Sequence, residues 1–133
     1  MKLKFDGGSR GNPGKSGCGY VLYDDNNNII HTGYKYLGIQ TNNYAEYMGL
    51  ISGLELAILH NITRLSIEGD SLLIINQMKK IYKVKNKNIL SLYSRATILL
   101  QSFSSITFNH IYREFNSDAD KLANYAIDNS FSS

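Results

Sequence analysis

Residues 2–36 read KLKFDGGSRGNPGKSGCGYVLYDDNNNIIHTGYKY, and this stretch sets the class of fold. Leu3 and Phe5 alternate with polar neighbours, which predicts a strand over Lys2–Asp6. The Gly-rich loop GGSRGNPG follows, and the apolar run from Gly17 to Tyr23 predicts a second strand. Asp24–Asn28 is a turn signal, and a third strand is expected over Ile29–Tyr36. Short connections make these three an antiparallel meander.

Beyond the meander the apolar period changes. Tyr47, Leu50, Ile51, Leu54, Ala57 and Ile58 recur at helical spacing, predicting a helix over Asn43–His60. A fourth strand over Arg64–Glu68 runs into Gly69-Asp70. Helices are expected over Ser71–Ile81 and over Asn88–Phe103, the latter burying Leu92, Ala96, Leu99 and Leu100. A fifth strand over Ser105–Tyr112 precedes a last helix over Ser117–Asn129, whose inner face is Ala119, Leu122, Ala123, Ala126 and Ile127. The order implies an α/β fold. Its five-stranded mixed sheet has three antiparallel strands plus two parallel crossover strands, with helices on both faces. The 133 residues are expected to form a single domain, with a frayed tail over Ser130–Ser133.

With 43% hydrophobic and 19% charged residues, the composition is that of a soluble globular chain. No apolar run approaches the roughly 20 residues of a membrane helix. The start, MKLKFDGG, lacks the apolar core of a secretory signal, so a cytoplasmic protein with no membrane contact is expected. The single cysteine, Cys18, excludes an internal disulfide and is read as a small core residue. The net charge of +3 conceals an asymmetry. Ser71–Arg113 holds seven basic residues and no acid, while the rest carries seven basic residues against eleven acids. The densest part is KKIYKVKNKN, Lys79–Asn88. Lys83, Lys85 and Lys87 there suit the phosphates of a DNA strand; a solvated lysine-rich face is the alternative. Tyr82 is read as a packing residue, with stacking on a sugar as the alternative.

Four acids sit at predicted element ends: Asp6, Glu46, Asp70 and Asp120. Each has a structural explanation. Asp6 precedes Gly7-Gly8 and could start a turn. Asp70 stands at a strand-to-helix junction, an N-cap position. Glu46 and Asp120 follow Asn43 and Ser117 by three residues, the spacing of a capping box. Together they read differently. Asp6 and Asp70 end two strands, Glu46 and Asp120 begin two helices, and the C-terminal edge of an α/β sheet is where sites form. Converging carboxylates repel unless cations lie among them, and hard oxygen ligands point to Mg²⁺ or Mn²⁺.

Four segments carry a family resemblance. FDGGSRGNPGKSGCGYVLYD resembles the opening of the type 1 ribonucleases H, TNNYAEYMGL their T-N-N-x-x-E segment, EGDSLLIINQM their D-S junction, and REFNSDADKLAN their closing N-x-x-A-D-x-L-A motif. The four occur in order and span Phe5–Asn124. The resemblance implies a ribonuclease H-like fold and an endoribonuclease that cuts the RNA strand of RNA–DNA hybrids, leaving 5′-phosphate and 3′-hydroxyl ends. It implies that Asp6, Glu46, Asp70 and Asp120 are catalytic and hold two Mg²⁺ ions. One ion would activate water and the other would stabilise the leaving oxygen. It implies hybrid contacts at Asn12 and Asn43, with Thr41 and Asn42 as phosphate or base-edge contacts. In the loop, glycines such as Gly8 let the backbone approach a sugar, and amides can bond 2′ hydroxyls. A monomer without an obligate protein partner is expected.

Two departures stand out. The basic handle of many members is missing between the second and third helices, so the chain resembles the short archaeal and bacterial forms. The histidine that many members carry before the last catalytic Asp is also missing; Arg113 and Glu114 stand in that connection, and His110 is assigned no such role. The competing readings are a nuclease-inactive hybrid- or RNA-binding module, a same-fold nuclease acting also on double-stranded RNA, and a domain of a reverse transcriptase.

Overall fold

Alternating apolar residues build the expected sheet, but its first strands outrun the apolar pattern. In this computed structural model, which describes residues 1–130 and 132, β1 (Lys2–Arg10), β2 (Gly14–Tyr23) and β3 (Ile29–Gln40) form the antiparallel meander. β4 (Arg64–Gly69) pairs parallel with β1, and β5 (Ser105–His110) parallel with β4, so the order is β3-β2-β1-β4-β5. The reading of GGSRGNPG as a loop is corrected. Gly7–Arg10 continue β1, in unbroken register with Lys15–Cys18 of β2. Ladder bonds satisfy their backbone groups, which outweighs the weak strand preference of glycine. The expected fray at 130–133 falls partly on Phe131 and Ser133, which lie outside the described residues.

Four helices follow the predicted order: α1 (Asn42–Leu59), α2 (Leu72–Met78), α3 (Lys87–Leu100) and α4 (Ser117–Asn129). α2 stops short of Ile81. Lys80 takes a left-handed conformation (φ 65°), and the N–H groups of Ile81 and Tyr82 turn back to donate to the Asn76 carbonyl. β5 likewise ends at His110, before a 3₁₀ turn at Arg113–Phe115. No helix among the described residues is long and apolar enough to cross a membrane.

β2 explains the layering. Cys18, Tyr20 and Leu22 join the main core with Leu3, Phe5 and residues of α1 such as Tyr47 and Leu50, while Val21 and Tyr23 pack with Ala119 and Leu122 of α4. Alternate residues of one strand thus serve opposite faces, so the whole run is buried. α1 lies on one face with α3 against it, and α4 on the other. Cys18 is fully buried, and burial pushes its thiol up to about 12, as fits a core residue.

Candidate active site

The site begins where two strands part. β1 and β4 pair from Lys2↔Ser66 to Phe5↔Gly69, and the next residues are Asp6 and Asp70. Asp6 is therefore not at the end of its strand, as the apolar pattern suggests, but in the middle of it. What ends there is the pairing with β4. Asn116 fills the gap: its buried side-chain amide donates to the Phe5 carbonyl (2.9 Å) and to Asp70 Oδ2 (3.1 Å). Sequence reasoning missed this role, although Asn116 lies inside the closing motif.

Glu46 arrives from α1 through two glycines. A Cβ on Gly7 would lie 2.2 Å from the backbone of Ala45, and one on Gly49 would lie 2.6 Å from the carbonyl oxygen of Asp6. Their absence lets α1 sit directly on β1 and sets Glu46 beside Asp6. The capping readings of the acids all fail. The N-caps are Thr41, whose side chain accepts from the Tyr44 N–H, and Ser71, which accepts from the Ile74 N–H. Asn116 is the N-cap residue of α4, with its side chain turned inward. Glu46, Asp70 and Asp120 are left uncommitted to helix ends. Asp6 starts no turn either; its Oδ1 accepts from the N–H of Gly7 within the strand (2.9 Å).

Asp6, Glu46 and Asp70 each bring one oxygen to a cluster in which all lie within 4.8 Å of one another. Asp120, in the first turn of α4, stands outside that tight trio but lines the same cavity of about 360 Å³. Arg10, Asn42, Asn43, Arg113 and Asn124 also line it. Among the described residues, no histidine does. Asp6 and Glu46 are only 6% and 7% exposed. Burial first, and then the charge of Asp70, push the Asp6 carboxyl up to about 7. Burial followed by the charges of Asp6 and Asp70 holds Glu46 well above the usual carboxylate range. Glu46 Oε1 is buried with no hydrogen-bond partner. An orphaned acceptor among crowded hard oxygens fits a divalent cation of the Mg²⁺ or Mn²⁺ type.

The expected nucleic-acid contacts divide into two groups. At the hairpin tip, Asn12 Oδ1 accepts from the N–H of Asn42 (3.0 Å), and Asn42 Oδ1 accepts from the N–H of Ser9 (2.8 Å). Each oxygen accepts a bond inside the protein, while among the described residues no bond from either NH₂ group holds it back from a ligand. Thr41 spends its oxygen on the α1 cap. Asn43 and Gly8 line the cavity, and a Cβ on Gly8 would meet nothing within 4 Å. Lys83, Lys85 and Lys87 are exposed and do not line the acidic cavity. Lys85 and Lys87 flank Asn86, the N-cap of α3, whose first turn holds no acid, and Lys83 lies just before them in the chain. A separate recess of about 330 Å³ is lined by Lys80, Tyr82, Lys83, Val84, Leu90 and Tyr93. Tyr82, expected to pack, is 45% exposed there. His110 is exposed at the end of β5, its ring edge-on to Tyr112.

Comparison with known proteins places this geometry in context. A family model described as reverse transcriptase-like matches residues 4–126. Over 127 residues the chain is 40% identical to the bifunctional protein Rv2228c of Mycobacterium tuberculosis, covering 95% of this chain and 35% of that protein. It is 37% identical over 124 residues to ribonuclease HI of Halobacterium salinarum, covering 93% of this chain and 62% of that one. The chain thus spans about a third of the mycobacterial relative. The crystal structure of RNase H1 from Halobacterium salinarum superposes with a TM-score of 0.94 at 36% identity, covering 96% of this chain and 97% of that one. That of LC11-RNase H1 in complex with an RNA/DNA hybrid gives 0.92 at 36% identity, covering 97% of both.

Proposed function

The chain belongs to the type 1 ribonuclease H family, and from that premise we propose that it hydrolyses the RNA strand of RNA–DNA hybrids at the cavity of Asp6, Glu46, Asp70 and Asp120. The observation that carries this reading is the trio of carboxylates within 4.8 Å, two of them buried and Asp70 half-buried, with the Glu46 Oε1 unpartnered. Asp6, Glu46 and Asp70 hold divalent cations, and Asp120 completes the donor set from the cavity wall. Two Mg²⁺ ions bound there, or Mn²⁺ in their place, supply Lewis-acid chemistry for hydrolysis that leaves 5′-phosphate and 3′-hydroxyl ends.

The chain's own groups do the rest. Asn116 holds the Asp70 carboxylate in one orientation. Arg113, on the cavity wall in the connection where many members carry a histidine, brings positive charge to the phosphate. Asn12, Asn42 and Asn43 present amide donors to sugar hydroxyls and base edges, and the Thr41 hydroxyl keeps its own proton to donate. Gly8 keeps open space beside the cavity for close approach of a sugar. Lys83, Lys85 and Lys87 lie beside the positive end of α3, so their charge is uncompensated until a DNA strand brings phosphates.

An end-labelled RNA–DNA hybrid incubated with Mg²⁺, Mn²⁺ or chelator tests this, beside single-stranded RNA, duplex RNA and duplex DNA. The expected result is metal-dependent cutting of the hybrid's RNA strand, abolished in Asp70→Asn. Hybrid binding without cutting under either metal would overturn the enzyme reading in favour of a binding module. Equal cutting of duplex RNA would broaden the substrate.

A further inference from the structure

Asp120 differs from the other three acids in how it is held. Asp6 and Glu46 are fixed by burial, and Asp70 by the amide of Asn116. Asp120 is half-buried on the first turn of α4, where an unrestrained carboxylate samples several rotamers. One turn along the same face, Asn124 Nδ2 donates to the Asp120 carbonyl oxygen (3.0 Å) and to its carboxylate Oδ1 (3.3 Å). Asn124 Oδ1 accepts from Arg10 Nη2 (3.2 Å). Arg10 reaches across from the end of β1, and its Nη1 donates to Asp128, one further turn along α4.

The chemistry of the guanidinium sets the direction of this chain. Arginine offers donors only, so the oxygen of the Asn124 amide must face it. The NH₂ of Asn124 then faces Asp120, whose carboxylate is kept as the acceptor. A flipped amide would set donor against donor at Arg10 and acceptor against acceptor at Asp120. We propose that Arg10 and Asn124 are positioning residues for Asp120, with Arg10 locking the Asn124 amide and the amide aiming the carboxylate. This rests on the reading of Asp120 as one of the metal-holding acids. Asp128 keeps Arg10 in place from the far side, so the device ties the end of β1 to the whole face of α4.

Outer residues that orient metal-holding groups are worth about 10- to 100-fold in metal affinity or activity. Asn124→Ala and Arg10→Met should each lower kcat on the hybrid by about 10-fold and weaken Mn²⁺ binding by a similar factor, with KM nearly unchanged. Arg10→Lys, still a pure donor, should recover most of both. Steady-state cleavage of the hybrid and calorimetric titration of the whole chain with MnCl₂ read these effects, with melting curves to show that each variant is folded. Unchanged kcat and Mn²⁺ affinity in Asn124→Ala and Arg10→Met would overturn the inference. So would a rise in KM with a shallower salt dependence in the Arg10 variants alone, because Arg10 would then be a phosphate contact. Asp120→Asn separates the two layers. If it loses both readouts while Asn124→Ala keeps both, only the positioning role fails. If it keeps both, the assignment of Asp120 fails and takes the positioning role with it.

Discussion

At the acidic cavity, like charges are crowded where water cannot screen them: Asp6 and Glu46 are at most 7% exposed, and burial dominates the upward shift of both. Along Lys79–Lys87, like charges are also crowded, but Lys83, Lys85 and Lys87 stand in solvent beside a helix start without an acid. The first arrangement persists only because rigid packing forces it: Gly7 and Gly49 bring α1 onto β1, and Asn116 braces Asp70. The second costs little, because water and salt screen exposed charge. The two regions therefore suit different tasks. Fixed, desolvated oxygens suit a metal and a chemical step, and mobile solvated cations suit a polyanion whose grip depends on salt.

That contrast can be broken first at Asp70. On the proposed reading, Asp70→Asn removes a metal-holding charge worth several kcal/mol in the transition state, about 10³-fold or more in hybrid cleavage. Hybrid affinity, measured in Ca²⁺ or chelator, should change far less; a matching drop in affinity would erase the division of labour. Next come the two adjacent glycines. Gly7→Ala drives a methyl into the backbone of Ala45, and should destabilise the fold by about 1–3 kcal/mol or more and depress cleavage with it. Gly8→Ala meets nothing within 4 Å and should melt like the parent, so weaker hybrid binding there would report on the ligand alone. Calorimetric melting and hybrid titration separate the two.

The pH dependence follows from the raised acids. A carboxyl whose folded value lies above its unfolded value stabilises the fold fully below the unfolded value, and loses that contribution as pH rises through the folded one. For Asp6 that window runs from about 4 to about 7. Without metal, the melting temperature should fall across that window, and Mg²⁺ should restore it most strongly above pH 7. Melting curves at pH 5 and pH 8, with Mg²⁺ and with chelator, check the sign. A metal-free protein more stable at pH 8 than at pH 5 would contradict it. The smallest effect per residue is expected in the basic run. Replacing Lys83, Lys85 and Lys87 by glutamine should raise KM and leave kcat nearly unchanged. The salt slope of hybrid binding should fall by about one for each phosphate that a lysine no longer neutralises. A fall in kcat instead would place these lysines in the chemical step.

Much of the site is legible in the sequence. The element order and the placing of the four acids at element ends follow from local patterns, and Asn12 and Asn43 stand out only through the family resemblance. The misreadings share one cause, an offset of a residue or a few. Glu46, Asp70 and Asp120 each look like a cap or a partner in one, because Asx and Ser/Thr caps are recognised by short spacings that neighbouring residues satisfy equally well. Thr41, Ser71 and Asn116 take those positions, and the acids are released. GGSR looks like a loop because glycine disfavours strands, yet pairing with Lys15–Cys18 carries β1 through it. Asn116 is visible only as a motif letter, since its bond to the Phe5 carbonyl spans 111 residues of sequence.

The sequence by itself determined the periodic elements, their order, the identity of the acids and the separation of acidic from basic segments, because these depend on residues close together along the chain. Only the tertiary structure decided that Phe5 pairs with Gly69, so that Asp6 and Asp70 emerge side by side, and that α1 lies close enough to deliver Glu46. It also decided which oxygens of Asn12, Asn42 and Asn124 are spent inside the protein. Strand register, close approach and burial are set by contacts between distant segments, and the raised carboxyls exist only once those contacts exclude water.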